Sequence, residues 1–278
     1  EKDSSINKKT IPAQDLFSDL LKERAETGRI YIMNLDHCNT HSSFKDKVSM
    51  SNLCQEITLP TTPINAIDDS QGEIALCILS AINVGQLNNL EDLENLCELA
   101  VRALEEIIEY QDYPVKAAEV STKSRRSLGI GYIGLAHYLA KQGFKYSEKG
   151  AWDSVDRLTE AFQFYLLKAS NKLAQERGAC EGFKQTKYAD GLLPIDHYKK
   201  EVDEIVPHKQ RMAWEALRKD ITKHGLRHST LSAQMPSESS SVVSNETNGI
   251  EPPRALMAIK KSKKGPLKQI APGFPKLK

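Results

Sequence analysis

Residues suited to chemistry lie together in one short stretch, Ser51-Asn52-Leu53-Cys54-Gln55-Glu56-Ile57. Leu53 and Ile57, followed by Thr58 and Leu59, favour an extended segment that Pro60 closes. Residues two apart in a strand share a face at a spacing of about 6.6 Å. Asn52, Cys54 and Glu56 therefore line one side as an amide, a thiol and a carboxylate. Such a row suits reaction on a polar substrate, with the thiol central and a base beside it. An arbitrary N-x-C-x-E match is more often a small buried cysteine between two exposed polar residues. Longer motifs elsewhere in the chain, at 34–42 and 236–240, argue for the chemical reading.

The elements that must hold this row alternate between helix and strand. Residues 12–27 carry Leu16, Phe17, Leu20 and Leu21 on one helical stripe, with Gly28 as its stop. Residues 29–35 read as a buried strand, and 36–44 as a polar, turn-rich loop. His37, Cys38 and His41 are good metal ligands, but three ligands within five loop residues is not a usual zinc spacing. Side chains bonding loop backbone is the preferred reading there. Residues 48–60 suggest one side of a hairpin, and 72–80 form a near-continuous apolar run of strand length. Such runs suit strands covered on both faces. Leu93, Leu96, Cys97, Ala100, Val101, Leu104, Ile107 and Ile108 mark one face of a long helix ending before Pro114, which makes Cys97 a core thiol.

Gly129-Ile130-Gly131-Tyr132-Ile133-Gly134 is a literal G-x-G-x-x-G, without the acidic residue that a dinucleotide site needs at the end of a second strand. Close backbone packing explains the glycines as well. Further helices are expected at 151–177, before Gly178, and at about 209–224, before Gly225; Cys180 reads as an ordinary thiol. Residues 226–233 return to strand. The turn at 236–241 leads into a segment, 242–245, that can be helical, and hydroxyls beside free N–H groups at a helix start can hold an anion. This alternation predicts α/β architecture in one domain.

Composition narrows the class. The 278 residues carry a net charge of +1 with 27% charged residues, which implies no overall attraction to nucleic acid or acidic membranes. No apolar run approaches the ~20 residues of a membrane span. Cysteines 38, 54, 77, 97 and 180 are scattered and odd in number, as expected of a cytoplasmic chain. From Pro252 to Lys278 there are eight basic residues and no acidic one, but Phe274 alone offers no stacking platform for bases.

Asn34-Leu35-Asp36-His37-Cys38-Asn39-Thr40-His41-Ser42, Ser51–Ile57 and Pro236-Ser237-Glu238-Ser239-Ser240 closely resemble the large (alpha) subunit of class I ribonucleotide reductase, in that family's order and over nearly the whole chain. The resemblance implies a ten-stranded α/β barrel with a central finger loop that carries a radical cysteine at its tip. Residues 1–278 would be part of that catalytic barrel domain, incomplete at both ends, with the finger at about 44–60 and a phosphate-binding loop at 236–241. Cys54 would then be the transient thiyl radical, Glu56 the base for the 3′-hydroxyl, and Asn52 the holder of the ribose hydroxyls. Cys77, within the motif Gly72–Ser80, would be one of two reducing thiols. Ser237, Glu238, Ser239 and Ser240 would bind the diphosphate.

The resemblance also implies partners. These are a ribonucleoside diphosphate, the remainder of the large subunit, a small (beta) subunit whose diiron-tyrosyl centre supplies the radical, and thioredoxin or glutaredoxin acting through a tail outside this stretch. No cofactor is expected on the chain itself. The second redox thiol, the effector sites and the tyrosine relay belong to family sequence beyond either end, so the chain alone is expected to be inactive. Two other classes are a non-catalytic remnant of the same subunit and a basic-tailed nucleic-acid binder. Co-purification separates the three readings.

Overall fold

The computed structural model describes residues 5–206, 209–262 and 265–274. In chain order, the first helices are α1 (Ala13–Thr27), α2 (Leu35–His41), α3 (Asp92–Tyr110) and α4 (Lys116–Arg125). They are followed by α5 (Leu135–Lys141), α6 (Lys149–Arg177), α7 (Pro194–His197), α8 (Trp214–His224) and α9 (Glu238–Val243). The strands are β1 (Ile78–Asn83), β2 (Leu128–Ile133), β3 (Met257–Ser262) and β4 (Gly265–Ile270). Residues 1–34 and 35–278 are separate compact units. No helix among the described residues is long and apolar enough to cross a membrane.

In the first unit, α1 ends where Gly28 adopts the left-handed conformation at φ 66° and returns its N–H to the Arg24 carbonyl. Its apolar stripe is uncovered: Phe17 is 59% exposed, and Leu16 and Leu21 are also exposed. The strand expected at 29–35 is absent. Residues 29–34 are irregular, with Tyr31 and Ile32 exposed, and Leu35 already begins α2. A strand exists only by pairing, and this segment has no ladder partner among the described residues.

The second unit is built on a parallel sheet. β1 and β2 pair from Ile78↔Leu128 to Asn83↔Ile133. The residues expected as a strand at 226–233 lie along the other edge of β2. Leu128 N–H donates to the Thr230 carbonyl (3.1 Å), Ile130 N–H to Leu231 (2.8 Å), and Ala233 N–H to Ile130 (3.2 Å). β2 is therefore central, and all six of its residues are buried. Parallel neighbours need long crossovers, which α3 with α4 and then α5 to α8 supply. α3 packs on α6 and on β1, and its Leu93, Cys97, Val101, Leu104 and Ile108 are buried, whereas Leu96 and Ile107, expected on the same stripe, lie at its margin and are exposed. The expected 151–177 helix is α6, and the 209–224 helix starts later, at Trp214.

The apolar run at 72–80 pairs later than expected. Glu73 makes only an isolated bridge to Thr62, and the ladder begins at Ile78. Gly129 and Gly131 of the G-x-G-x-x-G stretch stand inside β2, and Gly134 directly follows it. A Cβ on Gly131 would meet the Ala233 carbonyl oxygen at 2.5 Å, so close approach of the third segment requires glycine there. Gly134, at φ 83°, turns the chain into α5 against the buried Glu246 side chain. The architecture is mixed α/β. The described strands form this open sheet and a separate antiparallel hairpin of β3 and β4.

The basic stretch from Pro252 enters that hairpin, where Lys260 pairs with Glu238, as does Arg254 at 3.2 Å. Lys263, Lys264, Lys276 and Lys278 lie outside the described residues.

Candidate active site

The stretch 44–60 is anchored at its base and turns sharply at its tip. The polar stretch 36–44, expected as a loop, is helical through His41. Lys187 Nζ donates to the terminal carbonyls of Asn39 and Thr40 at 3.1 and 2.8 Å, compensating the helix end. The Asn39 amide donates to the Val48 carbonyl (2.9 Å) and accepts from the Val48 N–H (2.8 Å), pairing like a backbone group. Phe44 bridges Thr186. Phe44, Ile57, Leu59 and Ala233 form one buried cluster, with Ala75 and Cys77 packed against it.

Residues 51–57 are not the extended row that alternation predicts. Gln55 N–H donates to the Asn52 carbonyl (3.2 Å), and Asn52 N–H to the Ile57 carbonyl (3.3 Å). Ile57 N–H donates to Asn52 Oδ1 (3.3 Å), and Gln55 sits at φ 60°. A compact turn replaces the strand because an unpaired segment can satisfy its own backbone only by folding back. It also places Cys54 at the tip, exposed, beside Leu53 at 83% exposure. Asn52 braces the turn through its Oδ1, which leaves its Nδ2 as the donor facing outward from that bond.

Glu56 is half-buried, and its Oε2 has no hydrogen-bond partner among the described residues although it is shielded from solvent. Such a carboxylate oxygen is an acceptor held ready for a ligand donor. Beside Glu56 lies a cavity of about 390 Å³, lined also by His41, His197, Thr230 and Ser232. His41 donates its Nδ1–H to the His197 carbonyl, consistent with the structural reading of that histidine. Cys77 is half-buried just before β1, where burial and then the Glu56 charge push its thiol up to about 11. Asn52, Cys54, Glu56 and Cys77 thus belong to one corner of the molecule. Cys97 and Cys180 are buried, and burial pushes both thiols up to about 12.

Ser237, Glu238, Ser239 and Ser240 follow the third sheet segment at the start of α9. The first intrahelical bond is Ser241 N–H to the Ser237 carbonyl, so the N–H groups of 238–240 precede the ladder. Ser237 is buried and its N–H is spent on Asn248 Oδ1 (2.7 Å). The Glu238 carboxylate is held by Lys260, Arg254 and Asn248, and the Lys260 hydrogen bond keeps it below the usual carboxylate range. Its side chain is thus spent on protein cations, leaving backbone and the Ser239 and Ser240 hydroxyls for an anion.

Two charge clusters join elements that are far apart in sequence. Arg125 forks onto Glu73 (2.6 and 3.0 Å) and reaches Asp46 (2.8 Å). Glu105, fully buried on α3, accepts from Arg126 (2.8 and 2.9 Å), Arg227 (2.7 Å) and His228 (3.1 Å). Burial alone would raise the Glu105 carboxyl, but these donors outweigh it and hold it well below its ordinary value. A signal existed: Val101, Glu105 and Ile108 share a helical face, so a carboxylate stands in an apolar stripe and demands partners.

A family model described as "Ribonucleotide reductase, barrel domain" matches residues 1–277. The chain is 56% identical to the ribonucleoside-diphosphate reductase subunit alpha of Buchnera aphidicola subsp. Schizaphis graminum, covering 100% of this chain and 37% of that protein. Identity to the subunit alpha of Haemophilus influenzae is also 56%, with the same two coverages. The Escherichia coli K12 protein named ribonucleoside-diphosphate reductase 1 subunit alpha is 56% identical over 99% of this chain and 36% of its own length. The chain spans little more than a third of these curated relatives.

Proposed function

The chain belongs to the ribonucleotide reductase barrel-domain family, and from that premise we propose that it is the catalytic-barrel part of a ribonucleoside-diphosphate reductase, completed by the rest of a large subunit. In this reading the open sheet is one portion of a ten-stranded α/β barrel, residues 44–60 are its finger, and 236–241 is its phosphate loop. The observation that supports it best is the meeting of the finger turn with the segment that carries Cys77 into β1. Ile57 and Cys77 share one apolar cluster, and the Glu56 charge is felt at the Cys77 thiol.

The chemistry follows from these groups. A thiyl radical at Cys54 takes the hydrogen atom from ribose C3′, leaving a carbon radical and the Cys54 S–H. Glu56 accepts the 3′-hydroxyl proton through its unpartnered oxygen, and Asn52 holds the ribose hydroxyls. The 2′-hydroxyl leaves as water, taking a proton. Cys77 and a second thiol, which the family carries outside this stretch, give two electrons and close to a disulfide. Cys54 then returns its hydrogen atom to C3′ and regenerates the radical. A raised pKa suits Cys77 because a thiol that supplies protons must first hold them. Within the Ser237–Ser240 loop, the backbone N–H groups of 238–240 and the Ser239 and Ser240 hydroxyls bind the diphosphate, with Ser237 bracing the turn through Asn248. The radical is generated by a small subunit carrying a diiron-tyrosyl centre, and thioredoxin or glutaredoxin renews the dithiol. The setting is cytoplasmic.

The test is Cys54→Ser in a large subunit carrying this segment, assayed with small subunit, reductant and a ribonucleoside diphosphate. Deoxynucleotide formation is expected to vanish, with circular dichroism and Tm nearly unchanged. Continued multiple turnover would sink the radical assignment. The chain assayed without other large-subunit polypeptide is expected to form no sustained product.

A further inference from the structure

We propose that Arg125 is a positioning residue for this reaction, fixing the finger to the segment that carries Cys77 and so setting the separation of Cys54 from Cys77. The proposal rests on the reading of those two thiols given above. Arg125 ends α4 and is almost completely buried. Its guanidinium touches both parts that carry the thiols. Nε and Nη2 form a fork on Glu73, four residues before Cys77, at 2.6 and 3.0 Å. Nη1 reaches Asp46 in the finger base at 2.8 Å, and the guanidinium carbon stands 6.0 Å from the Phe44 ring centroid.

The backbone adds a third tie, because the Arg125 carbonyl accepts from Ser229 N–H at 3.0 Å, at the start of the third sheet segment. The planar cation thereby joins the base of the finger to the segment before Cys77, and the backbone of the same residue joins both to the sheet. Neither Asp46 nor Glu73 bonds the other directly. Without the guanidinium, the Asp46 and Glu73 carboxylates would lose the cation that both of them bond. A lysine keeps the charge but has no fork with which to hold two carboxylates in fixed directions. A cavity of about 440 Å³, lined by Asp46, Glu73 and Arg125, opens beside the cluster and can admit a small cation.

Radical transfer and disulfide formation depend on ångström-scale placement of the thiols, whereas the Ser237–Ser240 loop lies outside this cluster. The expected signature is therefore a fall in kcat without a matching change in KM. The experiment compares Asp46→Asn, Arg125→Lys and Arg125→Ala in the reductase holoenzyme with wild type and with Cys54→Ser. Asp46→Asn, at a half-exposed position, is expected to lower kcat several-fold with KM within twofold. Arg125→Lys is expected to lower kcat at least tenfold. Millimolar guanidinium is expected to restore several-fold activity to Arg125→Ala and none to Cys54→Ser. Wild-type kcat in both Asp46→Asn and Arg125→Lys, or a loss confined to KM, would overturn the positioning role. An active Cys54→Ser enzyme would instead overturn the reading beneath it. If Arg125→Ala does not fold, Asp46→Asn decides alone.

Discussion

At pH 8 an ordinary thiol is already partly ionised, but burial and the neighbouring Glu56 carboxylate push Cys77 up to about 11. Cys54 stands exposed at the turn, open to reagents in solution. Alkylation by iodoacetamide, resolved by peptide mass spectrometry, is therefore expected to label Cys54 at pH 8 while Cys77 stays largely unreacted until the pH approaches 11. The sign of the Glu56 contribution can be read separately. A negative neighbour disfavours thiolate, so Glu56→Gln is expected to move the Cys77 midpoint downward and speed its labelling at pH 9. Equal labelling of both cysteines at pH 8 would contradict the buried, acid-facing placement of Cys77. In the proposed reaction the same surroundings keep Cys77 protonated until substrate arrives.

Among the elements, α3 carries the largest electrostatic commitment, because Glu105 faces Arg126, Arg227 and His228 from within an otherwise apolar stripe. Complete burial pushes His228 down, and a neutral ring suffices to donate to Glu105 while accepting from Ser170 Oγ at 2.9 Å. Glu105→Gln strands two arginines without their counter-charge. It is expected to destabilise the chain by about 3–5 kcal/mol, read as a lower urea midpoint. The carboxyl is held below its ordinary 4.5, so its stabilisation is present above that pH and is lost as pH falls beneath it. The stability difference between pH 7 and pH 3 should accordingly be smaller in Glu105→Gln than in wild type.

The same elements show what could be read in the sequence. α3 and α6 announced themselves because each stripe is buried by its own neighbours. α2 did not, since Asp36, Asn39 and Ser42 are turn formers that here serve as a helix start and as backbone surrogates. Residues 29–34 have strand composition without a strand partner. At 51–57, alternation is satisfied equally by a strand and by a turn, and only the hydrogen bonds of Asn52 choose between them. The reactive residues were visible by type; the charges that hold them, Arg125 above all, were not, because each pairs with residues 52 to 79 positions away.

On the scale of the whole molecule, the sheet of the second unit is one-sided. Among the described residues β1 pairs only with β2, and Leu79 on β1 is 45% exposed. An open, apolar edge is a template for another strand. The purified chain is expected to associate as concentration rises, by sedimentation velocity, and Leu79→Lys is expected to reduce that association. A monodisperse monomer across the micromolar range would count against an available edge.

The turn at the finger tip carries a consequence for how this stretch can drift. Gln55 holds φ 60°, where a side chain is strained and only glycine, asparagine or aspartate sit with ease. A β-branched residue there would force the chain back toward extension and carry Cys54 off the tip. Glycine would relax the strain but widen the set of conformations that the loop must give up on folding. The alphabet open to position 55 is therefore short, although its side chain has no assigned part in the reaction. Leu53, two residues away and almost wholly in solvent, has no comparable restriction from its own packing. Sequence tolerance along the loop is set by backbone torsion as much as by chemistry, so its silent positions divide into free ones and captive ones.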